Sequence, residues 1–319
     1  MGNLQPLPAA GVNVSSAKGN AMRLKPVRAR KLRNGAWVTV AEGSDPLVVP
    51  ADIARRLTDP ANPGTSFSDL HDILSDAGFL SDPAGAPISP PPSAPQTPGW
   101  KVARICLWAV GVLLATIATT LLIGGGVPTG ADLVSAGPNA VLTVIVALAI
   151  AAITAVPHEL AHVVFGRASS SSRGSVQVNV RRAFATTELT HVWTWPLPAR
   201  LAAVSAGLVV DFAFLVAALT VRTATGWWVA TVAVAVLVMR IVWQARFHRT
   251  SDGRHIAKML LDNPLIKQDA RSAWVNRRTE NTPTSVRLWA GLIAVGFAAE
   301  ATLLLVWFVP AVLVLIGML

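Results

Sequence analysis

Between residues 101 and 319 the chain carries apolar runs too long and too poor in charge for a water-facing core. Residues 105–126 hold no charged residue, and residues 140–157 hold none before His158. Residues 201–221 are apolar apart from Asp211, residues 226–245 apart from Arg240, and residues 288–319 apart from Glu300. At a rise of about 1.5 Å per residue each run is long enough to cross about 30 Å of hydrocarbon. The chain as a whole is 14% charged, against about 25% in a soluble domain. The expected fold is therefore a mainly α-helical multi-pass membrane protein with about five spans. A sixth would follow from a break at Pro310.

The basic residues set the expected orientation. Lys and Arg number eleven before the first run, none in 125–139, five in 166–200, one in 222–225 and nine in 246–287. This alternation puts the N-terminus on the cytoplasmic side of a cell membrane. Trp100, Trp195, Trp227, Trp228, Trp243 and Trp289 lie near the expected span ends, where indole rings anchor at the interface. The formal net charge of +10 would suggest nucleic acid in a soluble protein. Here the cations sit between spans, and no basic motif with interleaved aromatics accompanies them, so no nucleic-acid partner is expected. Cys106 is the sole cysteine, which excludes an internal disulfide and a cysteine-based zinc cluster. Residues 1–20 lack an apolar central region. No cleavable signal is expected there, and the first apolar run would serve as signal and anchor.

Ahead of the spans, residues 1–21 read as disordered and 22–80 as a small cytosolic α+β domain of winged-helix-like type. Trp37–Val40 and Leu47–Val49 are β-prone runs separated by Glu42-Gly43-Ser44-Asp45, which predicts a hairpin. Helical patterns follow at 51–58 and 66–78, the second with Phe67, Leu70, Ile73 and Leu74 on one face and Ser66 or Ser68 as cap. Residues 81–99 are Pro-rich and read as an extended linker. Residues 100–319 form the transmembrane domain.

The chemistry is carried by Pro157-His158-Glu159-Leu160-Ala161-His162 at the end of the second run. Histidines four apart share a helix face, their Cβ atoms about 5–6 Å apart. Both imidazoles can therefore reach one tetrahedral zinc ion. Glu159 lies about 100° round the helix from His158, where it can act as a base on water. An open catalytic zinc site needs a third protein ligand. The candidates are Asp211, His248, Asp252, His255 and His191. His158 lies about 27 Å along the second span, near the cytoplasmic edge. The fourth span returns to that edge near residue 245, which puts Asp252 at the same depth. Gly253 would let the backbone turn beside it. Asp211 and Glu300 would each either face the site or stay protonated and hydrogen-bond to a neighbouring helix, with Asp211 the more site-proximal of the two, and Ala203 with Gly207 would serve helix packing.

The HELAH motif at a span end, Ala206-Gly207 followed by Asp211, and Asp252-Gly253 together resemble the site-2 protease family of intramembrane zinc metallopeptidases. The resemblance covers roughly residues 140–265. It implies a zinc ion held by His158, His162 and Asp252, with Glu159 as the catalytic base and a β-rich loop around 175–180 guiding the substrate. Two departures stand out. The family's Ala-Gly-Pro followed by Asn is Ala-Gly-Leu here, with Asp211 in place of the Asn, and its Leu-Asp-Gly is Ser-Asp-Gly. Leu260-Leu261-Asp262-Asn263-Pro264-Leu265 is similar to the branch found with ribosomally made, modified peptides, of which daptide-type peptides are one example. Residues 22–80 resemble PqqD-like domains, which bind a precursor peptide's leader by strand addition. The implied reaction is leader removal from a membrane-associated precursor. The alternatives are cleavage of a membrane-anchored regulator, or a zinc-binding transporter or inactive scaffold. No inverted repeat of Gly/Pro-broken spans supports a transporter.

Overall fold

The computed structural model describes residues 23–59, 69–81, 90–167, 176–179, 184–187, 189–275 and 283–318. The expected disorder of 1–21, the proposed caps Ser66 and Ser68, and residues 175 and 180 lie outside them.

The N-terminal unit contains β1 (Arg23–Leu24), β2 (Val27–Lys31), β3 (Trp37–Ala41), β4 (Leu47–Val49), α1 (Ala51–Thr58), α2 (His71–Asp76) and β5 (Leu80–Ser81). The anticipated hairpin is β3–β4, antiparallel, with Trp37 opposite Val49. Its turn needs Gly43, whose φ of 65° is left-handed. The Ser44 side chain closes the turn through the backbone N–H and carbonyl of Ala41. A third strand, β2, pairs antiparallel with β3. Val-Arg-Ala-Arg-Lys carries little β-branched signal, so its sequence reads as surface rather than strand. Alternation gives this sheet two buried faces. Ala41, Leu47 and Val49 pack under α1 and α2 with Leu57, Leu74 and Phe79. Val38 and Val40 point the other way, against Trp193, Trp195 and Met259 of the helical unit.

The stretch expected to be a spacer joins that contact. In its described part Ala94 is buried. The Trp195 Nε1–H donates to the Pro92 carbonyl at 2.9 Å, and Arg104 Nη2 donates to that of Pro95 at 2.9 Å.

The remainder is helical: α3 (Pro98–Gly125), α4 (Gly130–Ser135), α5 (Ala140–Phe165), α6 (Leu197–Thr225), α7 (Trp228–Gln244), α8 (Asp252–Leu261), α9 (Ile266–Val275), α10 (Thr284–Thr302) and α11 (Val309–Leu315). A short antiparallel hairpin, β6 (Val176–Asn179) with β7 (Phe184–Thr187), stands between α5 and α6. Among the described residues four helices are long and apolar enough to cross a membrane: α3, α5, α6 and the continuous rod Thr284–Leu315. Against the expectation of five, α7 has 17 residues, a rise of about 25 Å. The last rod does not break at Pro310. A π-helical turn, Leu303–Phe308, precedes the proline and absorbs the missing N–H and the ring.

α3 and α5 expose Val112, Leu113, Ile123, Val141, Leu148 and Ile153, as lipid-facing helices do. α6 is the central helix, with Ala203, Ala206, Gly207 and Asp211 buried along one side. Of the tryptophans expected as anchors, Trp227 is 54% exposed, whereas Trp195 and Trp289 are 1% and 2% exposed and belong to the packed interior.

Candidate metal centre

The histidine half of the site is built where α5 crosses α6. Helical spacing puts His158 and His162 on the inner face of α5, both buried. Their outer ring nitrogens are committed to α6. The Nδ1–H of His162 donates to the Ala203 carbonyl at 2.8 Å, and the Nδ1–H of His158 donates to Asp211 Oδ2 at 3.0 Å. Each bond fixes its ring as the tautomer with a lone pair on Nε2. Asp211, fully buried, lies 3.3 Å from Arg240 Nε on α7. Arg240 in turn donates to Thr154 Oγ1 at 3.1 Å. A mid-span carboxylate is thus matched by a mid-span guanidinium, as burial of either requires.

Gly207 makes the crossing possible. A Cβ there would stand 2.5 Å from the Nε2 atoms of both histidines. The side-chain-free backbone of α6 therefore borders the space that the two lone pairs face.

The aspartate half arrives on α8, outside the long apolar helices. Ser251 caps this helix, its Oγ accepting from Arg254 N–H at 3.2 Å and donating to the Gln244 carbonyl at 3.0 Å. Asp252 is the first helical residue, where the dipole favours a carboxylate, and its N–H donates to Gln244 Oε1 at 3.0 Å. Gly253 is not in the left-handed region expected for a sharp turn. It is needed because a Cβ would collide with the Gln244 carbonyl.

The two halves meet at three atoms. Asp252 Oδ2 lies 3.0 Å from His158 Nε2 and 3.4 Å from His162 Nε2, and the two Nε2 atoms are 3.2 Å apart. With both Nδ1 positions donating, three electron-rich atoms converge with no proton of their own to share. Such a cluster calls for a cation. Ligand atoms about 2.0–2.1 Å from a tetrahedral ion stand about 3.3–3.4 Å apart, and the triangle fits. His158, His162 and Asp252 could hold a metal ion.

The other candidate ligands are placed elsewhere. His191 Nε2 donates to the Gly166 carbonyl at 2.9 Å. His248 pairs with Glu300, which Arg249 also approaches at 2.8 Å. His255 is exposed on α8 and is not one of the three converging residues. Glu159, half-buried, follows His158 on α5.

The roles of Arg240, Thr154, Gln244 and Ser251, and the site roles of Ala203 and Gly207, escape sequence reasoning. One signal was available: residues 203, 207 and 211 are spaced by four, which sets two small residues on the same face as the carboxylate. No protein-family model, curated protein or solved structure matches this chain.

Proposed function

We propose that the chain is an intramembrane zinc metallopeptidase of the site-2 type that removes the leader from a membrane-associated or ribosomally made precursor peptide. One observation carries this reading: two histidine lone pairs and a carboxylate oxygen converge within 3.4 Å, beside the glutamate of an HExxH helix. The donor set of two imidazoles and one carboxylate suits zinc. Zinc held by His158, His162 and Asp252 would supply Lewis acidity toward water and the scissile carbonyl.

The protein's own groups supply the rest. Glu159 takes the proton of the attacking water and returns it to the leaving amine. Asp211 orients His158, the Ala203 carbonyl orients His162, and the apolar walls of α5 and α6 limit access of bulk water. An extended substrate segment adds to the β6–β7 hairpin, since a helical one hides its carbonyls in hydrogen bonds. A leader strand adds to the outer edge of β4. The cytoplasmic orientation is part of the same proposal. It is supported by the N-terminal unit and the Asp252-bearing helix α8 meeting on one side of the helical unit.

The test is hydrolysis of apolar precursor-like peptides by the detergent-solubilised chain, with zinc content measured in parallel. Glu159→Gln is expected to lower turnover roughly 100- to 10,000-fold, the usual worth of a general base, while retaining zinc. Zinc binding without cleavage by the wild type would favour the scaffold. Equal turnover in wild type and variant would remove Glu159 from the mechanism.

A further inference from the structure

The helix that carries Asp252 ends on a second buried carboxylate, and that one belongs to a contact between the two units. Asp262 caps the C-terminal end of α8, is 5% exposed and has a φ of 51°. Both its position and its conformation are locally unfavourable. A left-handed helix cap is ordinarily glycine. A carboxylate at a helix C-terminus also faces the negative end of the dipole. An aspartate there needs a tertiary reason, and the structure supplies it. Arg30 of β2 donates through Nη2 to Oδ1 at 2.7 Å and through Nη1 to Oδ2 at 3.2 Å. The Arg33 N–H adds a bond of 3.1 Å to Oδ2, and Arg200 Nη1 of α6 donates to Oδ1 at 2.9 Å. The Arg30 Nε–H also donates to the Trp193 carbonyl at 2.8 Å, beside the apolar contact of Val38 and Val40.

α8 is therefore held at both ends. At its start, Ser251 and Asp252 bond to Gln244, and Gly253 presses on the Gln244 carbonyl. At its end, Asp262 is gripped by the N-terminal unit and by Arg200, one turn before Ala203, the partner of His162. A ten-residue helix is a stiff rod of about 15 Å. Tilting its far end re-aims the carboxylate at its near end. The histidines are set by α5 and its contacts with α6, so only the third corner of the triangle depends on this rod.

We propose that Asp262 is a positioning residue: through α8 it makes the aim of Asp252 depend on docking of the N-terminal unit, so that whatever that unit binds bears on metal affinity. The inference rests on Asp252 being the third metal ligand.

The experiment is a zinc-affinity measurement by chelator competition on the full-length chain in detergent, with Co2+ absorption as a reporter of ligand geometry. The variants are Asp262→Gly, Arg30→Ala, their double, Arg30→Lys, and Arg55→Ala as an exposed control on α1. Glycine satisfies the left-handed cap, so Asp262→Gly removes the carboxylate without straining the helix end. Each single variant is expected to lower zinc affinity roughly 10- to 100-fold, in the range of outer-shell partners, and to alter the Co2+ spectrum. The double is expected to lose no more than the worse single, because both break one link. Arg30→Lys recovers part of the affinity, and Arg55→Ala matches the wild type. Wild-type affinity in Asp262→Gly and Arg30→Ala, or fully additive losses, would overturn the proposal and leave the metal centre standing. A wild type that binds no zinc would instead overturn the metal centre, and this inference with it.

Discussion

The two halves of the candidate site are built by different means. His158 and His162 sit 3% and 4% exposed between two long apolar helices, each ring held by an atom of α6. The Asp252 side chain is 27% exposed, on a short helix held at its two ends. The first half is set by close packing, which admits few adjustments. The second is set by hydrogen bonds and ion pairs at a distance, which admit graded ones. A site assembled this way can keep its histidines rigid while its carboxylate corner responds to the rest of the molecule.

The largest expected effect is on the packed half. Gly207→Ala would put a methyl group against both Nε2 atoms. Zinc affinity measured by chelator competition is expected to fall more than about 100-fold, beyond the range of outer-shell losses. Unchanged affinity would mean that α6 yields as readily as α8, which would erase the contrast.

An intermediate effect is expected at the orienting carboxylate. Asp211→Asn keeps an oxygen to accept from His158 but removes the charge that Arg240 faces at 3.3 Å. The expected loss of zinc affinity is roughly 10- to 100-fold, with a lower melting temperature because Arg240 is left without its charge partner. Adding Arg240→Met should recover stability but not affinity, which separates the two contributions.

The smallest effect concerns acidity at the far end of α8. Burial raises the Asp262 carboxyl, but Arg30 and Arg200 prevail and hold it below its usual value. A carboxyl depressed in the folded state stabilises it fully above the ordinary aspartate pKa of about 3.9. That contribution is lost only as pH falls through the lower folded value. Docking of the N-terminal unit, followed by energy transfer between labels on α1 and on Cys106, the exposed cysteine of α3, should therefore persist from neutral pH to about 4 and weaken below it. Undocking already at pH 5–6 would assign the contact to another group.

What could be read from the sequence divides along the same line. The histidines and Glu159 are a short-range pattern on one helix, so spacing alone proposes them. Asp252 lies 94 residues from His158, and its choice over Asp211, His248, His255 and His191 needed depth and resemblance. Asp211 and Arg240 read separately as interruptions of two apolar runs, and only the crossing of α6 and α7 makes them partners. Glu300 offered two readings, and it pairs with Arg246, His248 and Arg249 of the loop ahead of Asp252. In the N-terminal unit the β3–β4 hairpin was legible from turn chemistry. β2 was hidden because its Arg30 serves the contact with Asp262 rather than the solvent.

The π-helical turn at Leu303–Phe308 is more than an accommodation of Pro310. One additional residue in a turn offsets the faces on either side by roughly 100°. Before the turn, Gly296 and Glu300 address the loop that leads into Asp252. Beyond it, α11 packs against α4, where the Trp307 backbone already abuts Gly130. The insertion therefore acts as a phase shifter, letting one rod present two unrelated surfaces to neighbours at its two ends. Deleting a single residue such as Leu305 would restore a regular α-helix and put those surfaces out of phase. The prolonged last helix would keep its length and apolar character but could serve only one of its two clients.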